Sequence, residues 1–120
     1  LYRLFQEDGI LTSFKDKIQD LIAQQGERGS YTLLDDKTGC VNGCRCGISV
    51  YRHKEYLKED THDDQEGFFV LEGRGFAKVD GEEFVMEPGM AFMVPAGVRH
   101  ATKCDPEHEF CKVLWFHGAV

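Results

Sequence analysis

Oxygen and nitrogen donors crowd the stretch Asp60-Thr61-His62-Asp63-Asp64-Gln65-Glu66. In an extended chain, residues two apart share a face, so Asp60 and His62 can point the same way. Glu66 follows four residues after His62, across a turn. Imidazole with carboxylate suits Zn, Mn, Fe or Ni. Donors from one hairpin do not complete a metal site, and His100 is the candidate to join them. It follows Pro95-Ala96-Gly97-Val98-Arg99, where Pro95 and Gly97 make a tight turn that can aim His100 at the first cluster.

Other reactive side chains have weaker claims. Cys104 shares a face with His100 and Thr102 if that strand is regular, and is either a pocket group or an inert buried thiol. Cys40, Cys44 and Cys46 read C-x3-C-x-C in a Gly-containing loop. This is not the paired spacing of a structural zinc knuckle. It fits free thiols first, and a redox pair or soft-metal site second. His53 and His117 sit in strand-like runs, either packed or as bases beside the site. His108 reads as a solvent loop. Arg52, Arg74 and Arg99 could pair with a substrate carboxylate, although the parity of Arg99 turns it away from His100. Trp115 and Phe116 read as core.

The elements that must position these groups are mostly strands. Residues 13–25 put Phe14, Ile18, Leu21 and Ile22 on one face of an amphipathic helix. Ser13 and Asp16 are near a capping box, and Gly26 is the stop. From about residue 30 the pattern becomes short β-like runs broken by Gly, Pro and acidic turns, as in a sandwich or barrel. Asp80-Gly81 is a two-residue hairpin signal. In Gly67-Phe68-Phe69-Val70-Leu71, the pair Phe68 and Val70 alternates with Phe69 and Leu71, so both faces are apolar and both require cover. The N-terminal helix, a second sheet or another subunit must cover the outer face, which motivates a homodimer.

Both histidine clusters also fall in a recognisable frame. Asp60-x-His62-x3-Glu66-x6-Gly73 resembles the first cupin motif, G-x5-H-x-H-x3-4-E-x6-G. Lys54 replaces its leading Gly and Asp60 its first His. Gly89-x5-Pro95-x-Gly97-x2-His100-x3-Cys104 resembles the second motif, G-x5-P-x-G-x2-H-x3-N, with Cys104 in place of Asn. The resemblance covers roughly residues 47 to 117 and is closest to small single-domain microbial cupins. It implies an all-β cupin jelly-roll barrel; with the short N-terminal helix read from periodicity, residues 1–29 are expected as a helical segment packed on the barrel and residues 30–120 as the cupin domain. It also implies one divalent transition metal (Zn, Fe, Mn or Ni) on His62, Glu66 and His100. Asp60 carries over as a position, read either as a fourth, carboxylate ligand or as a solvated rim residue.

Function follows only by class. The family implied spans dioxygenases, isomerases, lyases and non-catalytic sensors, and fold does not choose among them. The first expectation is a metal-dependent enzyme on a small polar molecule, with Glu66 as ligand and, when displaced, base. The second is a small-ligand-binding or sensor barrel, and redox sensing through Cys40 to Cys46 is a distant third. The 120 residues carry a net charge of −7, so no basic face for nucleic acid is expected. No apolar run reaches the length of a membrane span. The five cysteines, with no secretion signal in view, suggest a reducing cytoplasm.

Overall fold

The computed structural model describes residues 13–118. A helix, α1 (Ile18–Gln25), precedes eight strands: β1 (Ser30–Leu34), β2 (Arg45–Tyr51), β3 (Gln65–Gly73), β4 (Gly75–Val79), β5 (Glu82–Met86), β6 (Ala91–Val94), β7 (His100–Cys104) and β8 (Cys111–Gly118). The strands form two antiparallel sheets, ordered β1-β2-β8-β3-β6 and β5-β4-β7. This is a two-sheet jelly roll. Its ladders stay in separate sheets and do not close into one continuous barrel.

Alternation in each strand builds the core between the sheets. The five-stranded sheet contributes Phe68, Val70, Val94, Cys111, Val113 and Trp115, and the smaller sheet Ala77 and Met86. Phe68 stacks on Phe92 with ring centroids 4.6 Å apart. The expected Asp80-Gly81 hairpin forms, with both residues at positive φ and Val79 opposite Glu82. Period two also corrects one expectation. Trp115 is core, but its neighbour Phe116 is 42% exposed on the outer face. There it lies over Gly67, where any Cβ would run into its ring. Phe69, Leu71 and Met93 are exposed as well.

The helix is shorter than the apolar pattern suggested. It begins at Ile18 after Lys17, which supplies no side-chain cap. Ser13 Oγ instead accepts from Lys15 N, outside the helix. Leu21 is buried, whereas Phe14 and Ile22 are exposed. An eight-residue helix is marginal alone, and only the part packed beside β1 forms. Gly26 ends it with φ +76° and its N–H on Ile22 O. Among the described residues, no helix is long and apolar enough to cross a membrane.

Candidate metal centre

Strand register places the site. Glu66 on β3 lies opposite Val94 on β6 and His117 on β8, and His117 lies opposite Arg45 on β2. Directly opposed residues share a face, so Arg45, His117 and Glu66 form one inward row, the last before the sheet's open end. The next row is Gly47, Trp115, Phe68 and Phe92, so apolar core floors the site. The segment before β3 crosses over this end. Asp60 and His100 exchange backbone hydrogen bonds of 2.9 and 3.0 Å, and Gly97 N–H donates to His62 O at 2.8 Å. The Pro95–Gly97 turn therefore fixes His62 directly and starts β7 at His100.

Three imidazoles converge on one carboxylate. Nε2 of His62 lies 3.1 Å from Glu66 Oε1, and Nε2 of His100 lies 3.4 Å from the same oxygen. His117 Nε2 is 3.1 Å from Glu66 Oε2. Glu66, His100 and His117 are buried and His62 is half-buried. The outer nitrogens are also engaged. Nδ1 of His62 faces the Asp64 carboxylate at 3.0 Å and its carbonyl at 2.9 Å. Nδ1 of His117 faces Asp64 Oδ2 at 3.0 Å and Arg45 Nη2 at 3.2 Å. Nδ1 of His100 faces Val98 O at 3.4 Å.

These contacts test the fit of a metal. His62 and His100 have oxygen acceptors at both ring nitrogens, but a neutral imidazole has one N–H. One nitrogen of each ring therefore requires a second proton or a cation. With Nδ1–H donating outward, both Nε2 lone pairs point at the space beside Glu66. Ligand atoms of His62, Glu66 and His100 lie within 4.8 Å of one another. Tetrahedral bonds of about 2.0–2.2 Å separate donors by about 3.3–3.6 Å, close to the 3.1 and 3.4 Å between Glu66 Oε1 and the two imidazoles. A borderline divalent transition ion fits this donor set.

Electrostatics follow the geometry. Burial would raise the Glu66 carboxyl, but the hydrogen bond from His100 and the charges of His117 and His100 outweigh it and hold it below its ordinary value. Asp64 is likewise pushed up by desolvation and brought down further by His117, Arg45 and His62. His100 is raised by its hydrogen bond to Glu66, against the effect of burial.

A cavity of about 250 Å³ opens beside the cluster, lined by Tyr51, His53, Leu57, Lys58, Asp60, Glu66, Phe68, His100, Ala101 and Thr102. Burial pushes the Tyr51 phenol up to about 12, so it stays a hydrogen-bond donor at neutral pH. A larger cavity, about 510 Å³, lies between α1 and the outer face of the five-stranded sheet, remote from Glu66.

The residues singled out from sequence separate clearly here. His62, Glu66 and His100 come together. A second group of close ligand atoms is His62, Asp64 and His117; Asp60 belongs to neither group among the described residues, but is exposed and lines the cavity. From sequence, His117 reads as a packed residue or a base beside the site, yet it touches Glu66. The signal was the alternation Val113, Trp115, His117, which puts His117 on the core face. Asp64, which ties His62 to His117, carried no signal beyond its place in the acidic run. His53 Nε2 meets Thr102 O at 2.7 Å on the cavity wall. Cys104 is fully buried, with Sγ on the Asp105 and His108 carbonyls and Lys54 Nζ 3.3 Å away. It does not line the cavity. Cys40, Cys44 and Cys46 are free thiols. Burial and the neighbouring Cys44 raise Cys40, and burial raises Cys46. Arg99 is exposed, in line with its parity, and Arg74 pairs with Asp105 at 2.8 Å.

Comparison with known proteins adds family to geometry. The family model described as the cupin domain matches residues 47–117. The chain belongs to the cupin family. Among solved structures, a cupin protein from Bacteroides fragilis superposes with a TM-score of 0.66 at 14% identity, over 78% of this chain and 79% of that one. The Fe(II) HppE structure in complex with substrate also gives 0.66, at 18% identity, over 74% of this cupin and 52% of HppE. Among curated relatives, acireductone dioxygenase of Synechococcus sp. (strain CC9902) is 39% identical over 75 residues, 59% of this chain and 40% of the relative. The acireductone dioxygenase of Tuber melanosporum (strain Mel28) is 29% identical over 105 residues, 82% of this chain and 59% of the relative. This cupin thus spans between about two fifths and three fifths of the relatives it matches.

Proposed function

We propose that this cupin holds one divalent transition metal through His62, Glu66 and His100 and is a metal-dependent enzyme of the dioxygenase type, acting on a small polar molecule. The observation that carries the reading is the pair of imidazoles with oxygen at both nitrogens and Nε2 aimed at Glu66. The similarity to acireductone dioxygenases points to dioxygenase chemistry among the family's options, and an acireductone is the first substrate to assay. A bound ion would supply Lewis acidity, an open coordination position and, if iron, redox chemistry.

This chain's own residues do the rest. Phe68 closes the floor of the cavity against water. Tyr51 offers a hydroxyl donor, and Lys58 a cationic ε-ammonium, for a polar or carboxylated substrate. Asp60 sits at the rim beside His100 and meets substrate rather than metal. Cavity size restricts the ligand to a small metabolite, below the usual range of about 300–1,000 Å³ for drug-sized molecules. Two copies pair through the outer face that exposes Phe69, Leu71, Met93 and Phe116, since contiguous exposed apolar area marks interaction surfaces.

Elemental analysis beside oxygen-consumption assays tests the proposal. Wild type should carry about one equivalent of metal and His100→Ala none, and the loaded protein should consume dioxygen with an acireductone. Metal bound without turnover would move the reading to a non-catalytic binding barrel, the alternative favoured by an exposed Asp60 where the motif has His. Absence of metal even after reloading would refute both halves.

A further inference from the structure

The cupin motif leaves one donor position open, because Asp60 stands where its first His is expected and its exposed side chain joins no ligand group. We propose that His117, from β8, is the third imidazole ligand of this metal centre, supplying from the last strand the donor missing at position 60. The inference rests on the metal-centre reading above.

Three observations carry it. First, the placement is backbone-determined: His117 opposes Glu66 directly in the β3–β8 ladder, on the inward face. Second, its Nε2 meets the Glu66 oxygen that His62 and His100 leave free, Oε2 rather than Oε1. The carboxylate is thus bracketed by three Nε2 atoms; His117 groups within 4.8 Å with His62 and Asp64 rather than with Glu66 and His100, so a shared ion would have to draw its Nε2 inward. Third, Asp64 holds His62 and His117 alike, with one oxygen 3.0 Å from each Nδ1. A carboxylate behind an imidazole fixes the tautomer with hydrogen on Nδ1 and leaves Nε2 to the metal. Arg45, 3.4 Å from Asp64 Oδ2, in turn anchors that carboxylate. His62 and His117 are therefore oriented by one shared device, and only the first is in a recognised motif.

A competing arrangement has the same contacts. His117 could accept from Arg45 at Nδ1 and merely donate Nε2–H to Glu66. His117→Gln separates the two, because its amide N–H can donate to Glu66 but its carbonyl is a poor replacement for an imidazole ligand. The experiment titrates Co²⁺ into wild type, His117→Gln, His117→Ala, Asp60→Ala and His100→Ala, reading affinity and the d–d absorption spectrum. Circular dichroism of each apo protein checks the fold. The expected result is a loss of more than about 100-fold for both His117 variants, beyond the 10–100-fold typical of an outer-sphere partner. Their Co²⁺ spectra should be altered and, in His117→Ala, restored by added imidazole, while Asp60→Ala matches wild type. Wild-type affinity and spectrum in His117→Gln would overturn the assignment while leaving the metal centre standing. Failure of wild type itself to bind Co²⁺ would overturn both readings together.

Discussion

Glu66→Gln is the most informative single perturbation, because all three Nε2 atoms face that carboxylate at 3.1–3.4 Å. The change keeps shape and removes charge. Metal that binds only the folded state stabilises it by RT ln(1 + [M]/Kd), about 4 kcal/mol at 1,000 times Kd. With about 2.1 cal/mol/K of unfolding entropy per residue, a chain of 120 residues has about 0.25 kcal/mol/K. Saturation at that ratio should therefore raise the wild-type Tm by about 16 °C. A 100-fold loss of affinity leaves about 1.4 kcal/mol at the same metal concentration, or about 6 °C. The assay is thermal unfolding of apo protein and of protein with added Zn²⁺, wild type beside Glu66→Gln. An equal metal-induced shift in the two would show that Glu66 is no ligand and that its convergence with three histidines is ion pairing alone.

Four further outcomes follow from the geometry. Glu66 and Asp64 are held below their ordinary values, so their contribution is present above the unfolded carboxylate range and lost as pH falls through the folded values. His100 is raised, so its contribution is present below about 6.5, the unfolded value, and is lost as pH rises through the folded one. Apo protein should therefore be most stable at mildly acidic pH, and urea midpoints that climb steadily through neutrality would contradict this. Zn²⁺ affinity should instead rise across the same range, because the metal displaces the His100 proton. Gly47→Ala should destabilise by about 1–3 kcal/mol, since a Cβ there would collide with Tyr31 O and the Trp115 ring; an unchanged denaturation midpoint would show that β1 and β8 yield easily. Light scattering should give the mass of two chains for wild type and of one for the Met93→Glu, Phe116→Glu double variant, and a monomeric wild type would end the dimer reading.

Local spacing determined a large share of this protein. Two motifs placed His62, Glu66 and His100, and the structure brings those side chains together. Asp80-Gly81 marked a hairpin because few other residue pairs accept its dihedrals. Alternation in Phe68-Phe69-Val70-Leu71 separated inner from outer side chains, although only the inner pair is buried. The same alternation, applied to Trp115 and Phe116, would have put them on opposite faces and His117 with the core.

Tertiary structure decided the rest. Whether Glu66 meets His117 depends on the register of two strands some fifty residues apart in sequence, and register is set by which apolar set gets buried and by the connecting turns, not by any local signal. Asp60 looked equivalent to His62 by parity. Its backbone pairing with His100 leaves its side chain exposed at the cavity rim instead. The helix start moved from Ser13 to Ile18 because so short a segment takes its stability from packing beside β1, not from its own cap. Sequence thus determined which residues can share a face, and the assembled sheets determined which faces meet.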